Sequence, residues 1–137
     1  MKISKSFYWE MGHRLPFHKG KCVNLHGHSY RVDIGLTGKP DSNGILMDYF
    51  DVKLIAAPLI EKLDHSFMVF DGDTDLIFLL EKMNSKMFLF EHQSTAENIC
   101  LLFLDEIKNK VSPNIETLTV RVCETLDTYA EAELKLR

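Results

Sequence analysis

Two stretches near the start of the chain alternate between apolar and polar residues, and each predicts a β-strand. Residues 2–13 place their apolar side chains at odd positions, and residues 26–38 place theirs at even positions. A period of two is typical of strands that bury one face. His13 lies at the end of the first apolar face, and His26 and His28 begin the second. We therefore expect His26 and His28 to point to the same face of one strand.

The middle of the chain has the spacing of amphipathic helices. Apolar residues recur every three or four positions over residues 52–63, which predicts a helix that ends at Leu63-Asp64-His65. Asp51 precedes this pattern and is predicted to be its N-cap. Pro58 falls inside the pattern, where we expect it to kink the helix or to mark a weak turn.

Two further helices are predicted in the second half of the chain. A short one covers residues 74–83, and a longer one runs from about residue 95 to 110. Ser94 and Glu97 have the spacing of a capping box, which typically opens a helix. Residues 87–90, between the two helices, are predicted to form a brief strand.

The last quarter of the chain alternates again over residues 118–124 and 130–136, which predicts two more strands. The order strand, strand, helices, strand, strand indicates an α+β fold, with a four-stranded antiparallel sheet and helices on one face. Residues 1–137 contain no repeat or low-complexity tract, so we expect a single domain. Such a sheet has open edges, and association with copies of the same chain would close them.

The composition of the chain indicates which classes of binding partner and which cellular location to expect. The 137 residues are 45% hydrophobic and 26% charged, as in ordinary globular proteins. The net charge is −4 and no basic block stands out, which argues against nucleic acid or an anionic membrane as partner and favours a small molecule. The chain lacks a signal-like start and any apolar run near the roughly 18 residues of a membrane span, so a cytoplasmic location is expected. Three cysteines without a CxxC motif indicate reduced thiols.

Four of the six histidines, His13, His18, His26 and His28, lie with Cys22 between residues 13 and 28. Neutral imidazole suits zinc, and catalytic zinc sites typically have three protein ligands and an open fourth position. His26 and His28 lie two residues apart on one predicted strand, and His13 can reach the same ion if the first two strands pair. The spacing therefore predicts a zinc site with three histidine ligands.

The thiol of Cys22 has two roles open to it on this spacing. As a fourth ligand it would close a structural zinc site. Left uncoordinated beside a divalent cation, the thiol would have a lowered pKa and could accept a proton. The basic loop at residues 18–21 adds positive charge that favours the thiolate and can meet an anionic substrate tail.

Six short motifs occur in order along nearly the whole chain. They are His13-Arg14-Leu15, Cys22-x-x-x-His26-Gly27-His28, Met47-Asp48-Tyr49, Leu63-Asp64-His65, Ser94-Thr95-Ala96-Glu97-Asn98 and Glu124-Thr125. Together they resemble the 6-pyruvoyl-tetrahydropterin synthase and 6-carboxytetrahydropterin synthase family. The motif from Cys22 to His28 is the most specific of the six.

The resemblance implies roles for nine residues. It implies zinc on His13, His26 and His28, acid–base roles for Cys22, His65 and Asp64, and a pterin pocket with Glu124, Thr95 and Glu97. Cys22 would be the general base, and His65 with Asp64 would act on the other side of the substrate. Glu124 would accept hydrogen bonds from the pterin, because a carboxylate on an otherwise apolar strand face needs donor partners.

The resemblance also implies the tunnelling fold, in which three subunits close their four-stranded sheets into a barrel and two such rings stack. The implied reaction is that of a zinc-dependent lyase acting on 7,8-dihydroneopterin triphosphate. The compact chain looks more like the branch that forms 6-carboxy-5,6,7,8-tetrahydropterin, acetaldehyde and triphosphate, on the route to 7-deazaguanine nucleosides such as queuosine.

Other functions remain alternatives. The pyruvoyl branch of the family eliminates triphosphate and leads toward tetrahydrobiopterin. A third branch cleaves dihydroneopterin side chains for folate, and its members tend to carry glutamate at the position of Cys22, which disfavours it here. From a different class, the chain could be a non-catalytic, zinc-stabilised module that binds a pterin or purine.

Overall fold

The computed structural model describes residues 1–137 and shows one mixed β-sheet with three helices. The strands are β1 (Lys2–His13), β2 (His26–Gly38), β3 (Ser66–Phe70), β4 (Met87–Phe90), β5 (Ile115–Cys123) and β6 (Ala130–Lys135). The helices are α1 (Tyr49–Leu63), α2 (Thr74–Lys82) and α3 (Ala96–Ile107), and a short 3-10 turn covers Lys21–Val23. None of the helices has the length and apolar character needed to span a membrane.

The four predicted long strands are confirmed, and they form the antiparallel order β1-β2-β5-β6. β1 and β2 pair along their whole length, from Lys2 opposite Thr37 to His13 opposite His26. One face of these strands is polar and exposed, and the other carries the core. The largest fully buried core side chains include Tyr30, Ile34, Leu36 and Leu118.

The sheet has six strands, so the prediction of four was wrong in number. β3 and β4 extend it beyond β1 in the order β4-β3-β1, and both added pairings are parallel. The apolar run at residues 66–70 was too short for its periodicity to identify it as a strand. These residues form a strand that pairs with β1 on one side and with β4 on the other. The parallel pairing with β4 needs a crossover connection, which α2 provides.

Helices α1 and α3 cover one face of the sheet, as predicted, and their buried side chains join the main core. Helix α2 packs elsewhere: its Leu76 and Leu80 contact Val69 in a separate small cluster. Met68, the neighbour of Val69 on β3, belongs to the main core. Because neighbouring residues of a strand point to opposite faces, α2 lies on the face opposite α1 and α3.

Two of the three predicted helix starts shift, that of α1 by three residues and that of α3 by one. The N-cap of α1 is Asp48, whose side chain accepts a hydrogen bond from the backbone of Phe50, at 2.7 Å. Asp51, the predicted cap, lies inside the first turn. The helix continues through Pro58 and ends at Leu63, so the proline does not end it.

Helix α3 begins after Thr95, and not with the predicted pair of Ser94 and Glu97. The Thr95 hydroxyl accepts a hydrogen bond from the backbone of Asn98, at 3.2 Å. Ser94 is completely buried and makes other contacts. Ser94 and Thr95 are both residue types that can cap a helix, so the sequence alone does not distinguish between them. The path of the backbone determines that Thr95 is the cap.

The cap of α1 is testable by comparing two neighbouring aspartates. We expect Asp48→Ala to lower the free energy of unfolding by about 0.5–2 kcal/mol, because it removes a side-chain acceptor from the first turn. Asp51→Ala removes only a favourable charge near the helix N-terminus and should cost less, about 0.3–1 kcal/mol. Urea unfolding at one fixed protein concentration measures both. A larger loss for Asp51→Ala would contradict this assignment.

Candidate functional site

Three histidine rings meet where β1 ends and β2 begins. His13 pairs directly with His26 across the two strands, and His28 lies two residues further along on the same face. The ring centroid of His13 lies 4.6 Å from that of His26 and 5.2 Å from that of His28. One nitrogen from each ring lies within 4.8 Å of the other two. The β1–β2 pairing therefore brings the three predicted ligands together.

Backbone carbonyls orient two of these rings. His13 Nδ1 lies 2.8 Å from the carbonyl oxygen of Ser94, and His26 Nδ1 lies 2.7 Å from that of Asn24. A carbonyl oxygen only accepts hydrogen bonds, so each Nδ1 carries the proton and donates it. Each Nε2 then carries the lone pair of the neutral ring, as in histidines that bind metals.

Ser94 and Asn24 were not identified by sequence reasoning. The contact of Ser94 is with His13, 81 positions away in the sequence, and its hydroxyl lies 3.1 Å from the same Nδ1. Its spacing to Glu97 indicated a helix cap instead. No local pattern could have shown that a backbone carbonyl would reach the histidine.

The surroundings keep two of the histidines neutral. The pKa of His13 is lowered to about 4, mainly by burial and further by the nearby rings of His26 and His28, against the opposing effect of the Ser94 bond. Burial also lowers the pKa of His28, and His26 adds to this effect. Neutral imidazole is the form that coordinates a metal, so at neutral pH no proton has to leave either ring first.

These residues fit a zinc ion. Three neutral imidazoles are a common zinc donor set, and metal–nitrogen bonds of about 2.0–2.1 Å place tetrahedral ligand nitrogens roughly 3.4 Å apart. The three nitrogens, all within 4.8 Å of one another, are already close to that spacing. The ring of Tyr30 lies beneath the group, fully buried, with its hydroxyl 3.4 Å from His13 Nε2.

Cys22 does not belong to this donor group. It lies half-buried in the 3-10 turn between β1 and β2, and its carbonyl accepts a hydrogen bond from the backbone of Leu15, at 2.8 Å. The arrangement therefore offers three protein ligands and an open fourth position. It favours the role of Cys22 as a free thiol over its role as a fourth ligand.

Asp64 and His65 contact each other at the end of α1. Asp64 Oδ1 lies 2.9 Å from His65 Nδ1 and accepts a bond from the backbone of Glu10, also at 2.9 Å. Side chains of sequence neighbours usually diverge, but His65 has a left-handed backbone with φ of 56°, which turns its ring toward Asp64. The bond from Glu10 is the main cause that lowers the pKa of Asp64.

His65 lines a cleft of about 400 Å³, together with residues of β1 and β2 such as Glu10, His28 and Ser29. Because side chains alternate along a strand, Glu10 and Ser29 point to the face of the sheet opposite the imidazole rings of the histidine group. The imidazole of His65 is largely exposed, at 77% of its side-chain surface. The ring of His65 is thus accessible to a ligand in this cleft.

The three predicted pocket residues are also brought together. Thr95, Glu97 and Glu124 line a pocket of about 370 Å³, with Leu15 and Tyr129 at its walls. Glu124 lies one residue beyond the end of β5. Burial raises its pKa, the charge of Glu97 raises it further, and His26 acts in the opposite direction. A half-buried carboxylate in this setting gains from a ligand that donates hydrogen bonds.

Apart from Cys22, the predicted residues therefore form three groups, which are the histidine group, the pair of Asp64 and His65, and the pocket around Glu124. His28 shares the cleft with His65, and His26 is close enough to influence Glu124 electrostatically. His18 and His92, which have no place in the motifs, are both exposed.

Comparisons with known proteins all point to one family. Residues 2–135 match the family described as 6-pyruvoyl tetrahydropterin synthase. The 6-carboxy-5,6,7,8-tetrahydropterin synthase of Haemophilus influenzae is 33% identical over 138 residues, which cover 95% of this chain and 96% of that protein. The protein of the same name from Aquifex aeolicus is 32% identical over 155 residues, covering 95% and 96% of the two chains.

A solved structure shares the fold. The 6-pyruvoyl tetrahydropterin synthase of Plasmodium vivax superposes with a TM-score of 0.76 and 19% identity, over 98% of this chain and 99% of that one. At this identity the likeness concerns the fold, which is the predicted tunnelling fold. From its near-complete match to the family and its relatives at 33% identity, the chain belongs to the 6-pyruvoyl tetrahydropterin synthase family.

Proposed function

We propose that the chain is a zinc-dependent 6-carboxy-5,6,7,8-tetrahydropterin synthase, a cytoplasmic lyase of 7-deazaguanine biosynthesis, the route to queuosine. Its substrate would be 7,8-dihydroneopterin triphosphate, and its products 6-carboxy-5,6,7,8-tetrahydropterin, acetaldehyde and triphosphate. The observation that carries the proposal is the 33% identity, over nearly the whole chain, to a relative with this name. The three clustered histidines support the dependence on zinc.

In the proposed mechanism, the protein contributes a general base and, on the opposite side of the substrate, an acid–base pair. His13, His26 and His28 would hold the zinc, which when bound supplies a Lewis acid that lowers the pKa of substrate hydroxyl groups. The free thiol of Cys22 would remove a proton as thiolate. His65 would exchange a proton on the other side of the substrate.

Asp64 would serve His65 as its orienting partner. Its carboxylate lies 2.9 Å from His65 Nδ1, so it can hold the ring in one orientation and stabilise the imidazolium after proton uptake. A hydrogen bond from the backbone of Glu10 keeps Asp64 itself in place and ionised. Proton exchange would then occur at His65 Nε2.

The pocket around Glu124 would bind the pterin ring. A carboxylate accepts two parallel hydrogen bonds, and the 2-amino and ring N–H groups of a pterin supply two donors. Glu97 and Thr95 line the same pocket and would contact the ring edge. Thr95 already uses its hydroxyl as the N-cap of α3, so it would act mainly through its other lone pair and its methyl group.

A ring of three subunits would complete the sheet. β1 pairs with β3 only at Met11 and Gly12, so the rest of its outer edge has no strand partner in the chain. β6 likewise forms a free edge at the other side of the sheet. We infer that these edges pair between subunits, giving a trimer or two stacked trimers. The molar mass in solution, by sedimentation velocity, should therefore be three or six times 15.8 kDa, and a monomer would refute this assembly.

The product assay tests the proposed reaction. The zinc-loaded protein, incubated with 7,8-dihydroneopterin triphosphate, should release acetaldehyde and triphosphate in equal amounts. Release of triphosphate without acetaldehyde would instead identify the pyruvoyl reaction, to which the family description points. In the same assay Glu124→Gln should raise KM, because the amide replaces one of two acceptor oxygens with a donor.

Substitution of Cys22 separates an enzyme from a structural zinc module. We expect Cys22→Ala to bind zinc in the wild-type ratio and to lose turnover by a factor of about 10²–10⁴, as when a general base is removed. Zinc content by elemental analysis and the product assay measure the two effects.

His26→Ala is the matched variant, since it removes a ligand and should lose zinc together with turnover. Loss of zinc from Cys22→Ala would make the thiol a ligand and would favour the non-catalytic module. Full turnover by Cys22→Ala would refute its role as base.

A further inference from the structure

The hydroxyl of Tyr30 contacts one of the three imidazole nitrogens that would hold a metal. Its oxygen lies 3.4 Å from His13 Nε2. His13 donates its Nδ1 proton to the carbonyl oxygen of Ser94, at 2.8 Å, so Nε2 can only accept a hydrogen bond. The hydroxyl is therefore the donor of this contact, and its acceptor is the lone pair that a metal at His13 would use.

The three imidazoles need a donor or a cation among them. One nitrogen from each of His13, His26 and His28 lies within 4.8 Å of the other two. Lone pairs that converge in this way carry like partial charges, which repel one another. The O–H group of Tyr30 supplies a donor to the group, and it does so at the same nitrogen that would bind a metal.

The ring of Tyr30 is held in this position by its neighbours. It is fully buried, and it stacks on the ring of Trp9 with centroids 5.1 Å apart and an angle of 11° between the planes. The rings of His13 and His28 pack against it in T-shaped arrangements, with centroid distances of 6.1 Å and 5.5 Å. A ring in such close packing cannot change its rotamer without displacing its neighbours. Only the hydroxyl hydrogen is free to rotate.

The hydroxyl has no second hydrogen-bond partner in the chain. A phenol keeps its proton at neutral pH, so the group remains a donor. A buried donor that loses its acceptor raises the free energy of the protein, because water does not replace the lost bond. A metal that takes the lone pair of His13 would leave the hydroxyl of Tyr30 in this state.

We propose that the hydroxyl of Tyr30 competes with the metal for His13 Nε2 and thereby weakens metal binding at the histidine group. In the empty site the hydroxyl donates to one of the converging lone pairs and reduces their repulsion. Metal binding breaks this bond, and the chain offers the hydroxyl no other acceptor. The inference rests on the proposed zinc site, and it is independent of the reaction that the protein catalyses.

Tyr30→Phe tests the competition, because it removes the hydroxyl and keeps the ring that packs on Trp9. We expect the Zn²⁺ dissociation constant of the full chain to fall about 2- to 10-fold, which corresponds to the net contribution of one hydrogen bond. Competition with a chromophoric chelator of known zinc affinity, at neutral pH, measures this constant.

Tyr8→Phe is the matched control. Tyr8 is exposed, and it lies one residue from the buried Trp9 on β1, so its side chain points to the opposite face of the sheet from the histidine rings. Removing its hydroxyl should leave the zinc dissociation constant unchanged.

The contact itself is testable without a metal. In metal-free protein labelled with ¹⁵N at histidine, the Nε2 resonance of His13 should shift between the wild type and Tyr30→Phe, because the lone pair loses its donor. The Nδ1 resonance of His13, which depends on the bond to Ser94, should stay in place. Long-range ¹H–¹⁵N correlation spectra separate the two nitrogens. An unchanged Nε2 resonance would overturn the proposal, since the hydroxyl would then not donate to His13.

The zinc measurements have three further outcomes. An unchanged dissociation constant in Tyr30→Phe would overturn the competition, and a larger one would show that the hydroxyl stabilises the bound metal instead. A wild-type chain that binds no zinc would refute both the zinc site and the competition. The expected difference in zinc affinity, in a chain that forms no product, would support the competition and refute the proposed reaction.

Discussion

The antiparallel pairing of β1 with β2 is the interaction on which the candidate site depends. Its register sets His13 directly opposite His26 and leaves His28 on the same face. A slip of one residue would turn one strand's histidines to the opposite face of the sheet, because side chains alternate along a strand. The apolar residues that follow on each strand hold the register, since Tyr30 and the side chains beyond it have to remain in the core. The same register therefore packs the core and brings the three histidines of the candidate metal site together.

Burial of this site costs folding free energy, and it also makes the site suitable for a metal. An imidazole that is taken out of water loses the stability of its charged form, and for His13 the pKa falls to about 4. The remaining polar atom needs a partner, which the carbonyl oxygen of Ser94 supplies. Because α3 begins after Thr95, Ser94 stays outside the helix and its carbonyl is free for this contact. A change of one residue in the helix start would thus alter the orientation of a ligand.

Asp64 and His65, the proposed acid–base pair, lie between α1 and the elements β3, α2 and β4. These elements meet the main sheet through a short parallel ladder, the shared core and the Arg14–Asp73 ion pair. Hydrogen bonds of both residues to the backbone of Glu10 place them beside β1. The histidine group and the pair of Asp64 and His65 are thus built on different elements, and the distance between them depends on tertiary contacts.

The four long strands, the three helices, the histidine cluster and the family could be predicted from the sequence, because these depend on local periodicity and on motifs of few residues. The brief strand predicted at residues 87–90 is β4. The sequence did not predict β3, whose short apolar run has no distinct period, or the choice of Asp48 over Asp51 as cap. The contact of Ser94 with His13 and the turn that joins Asp64 to His65 were decided by the tertiary structure alone. The contact of Ser94 with His13 depends on where a distant segment of backbone passes, and the turn at Asp64 and His65 depends on a single backbone angle. Neighbouring residues in the sequence do not encode either of them.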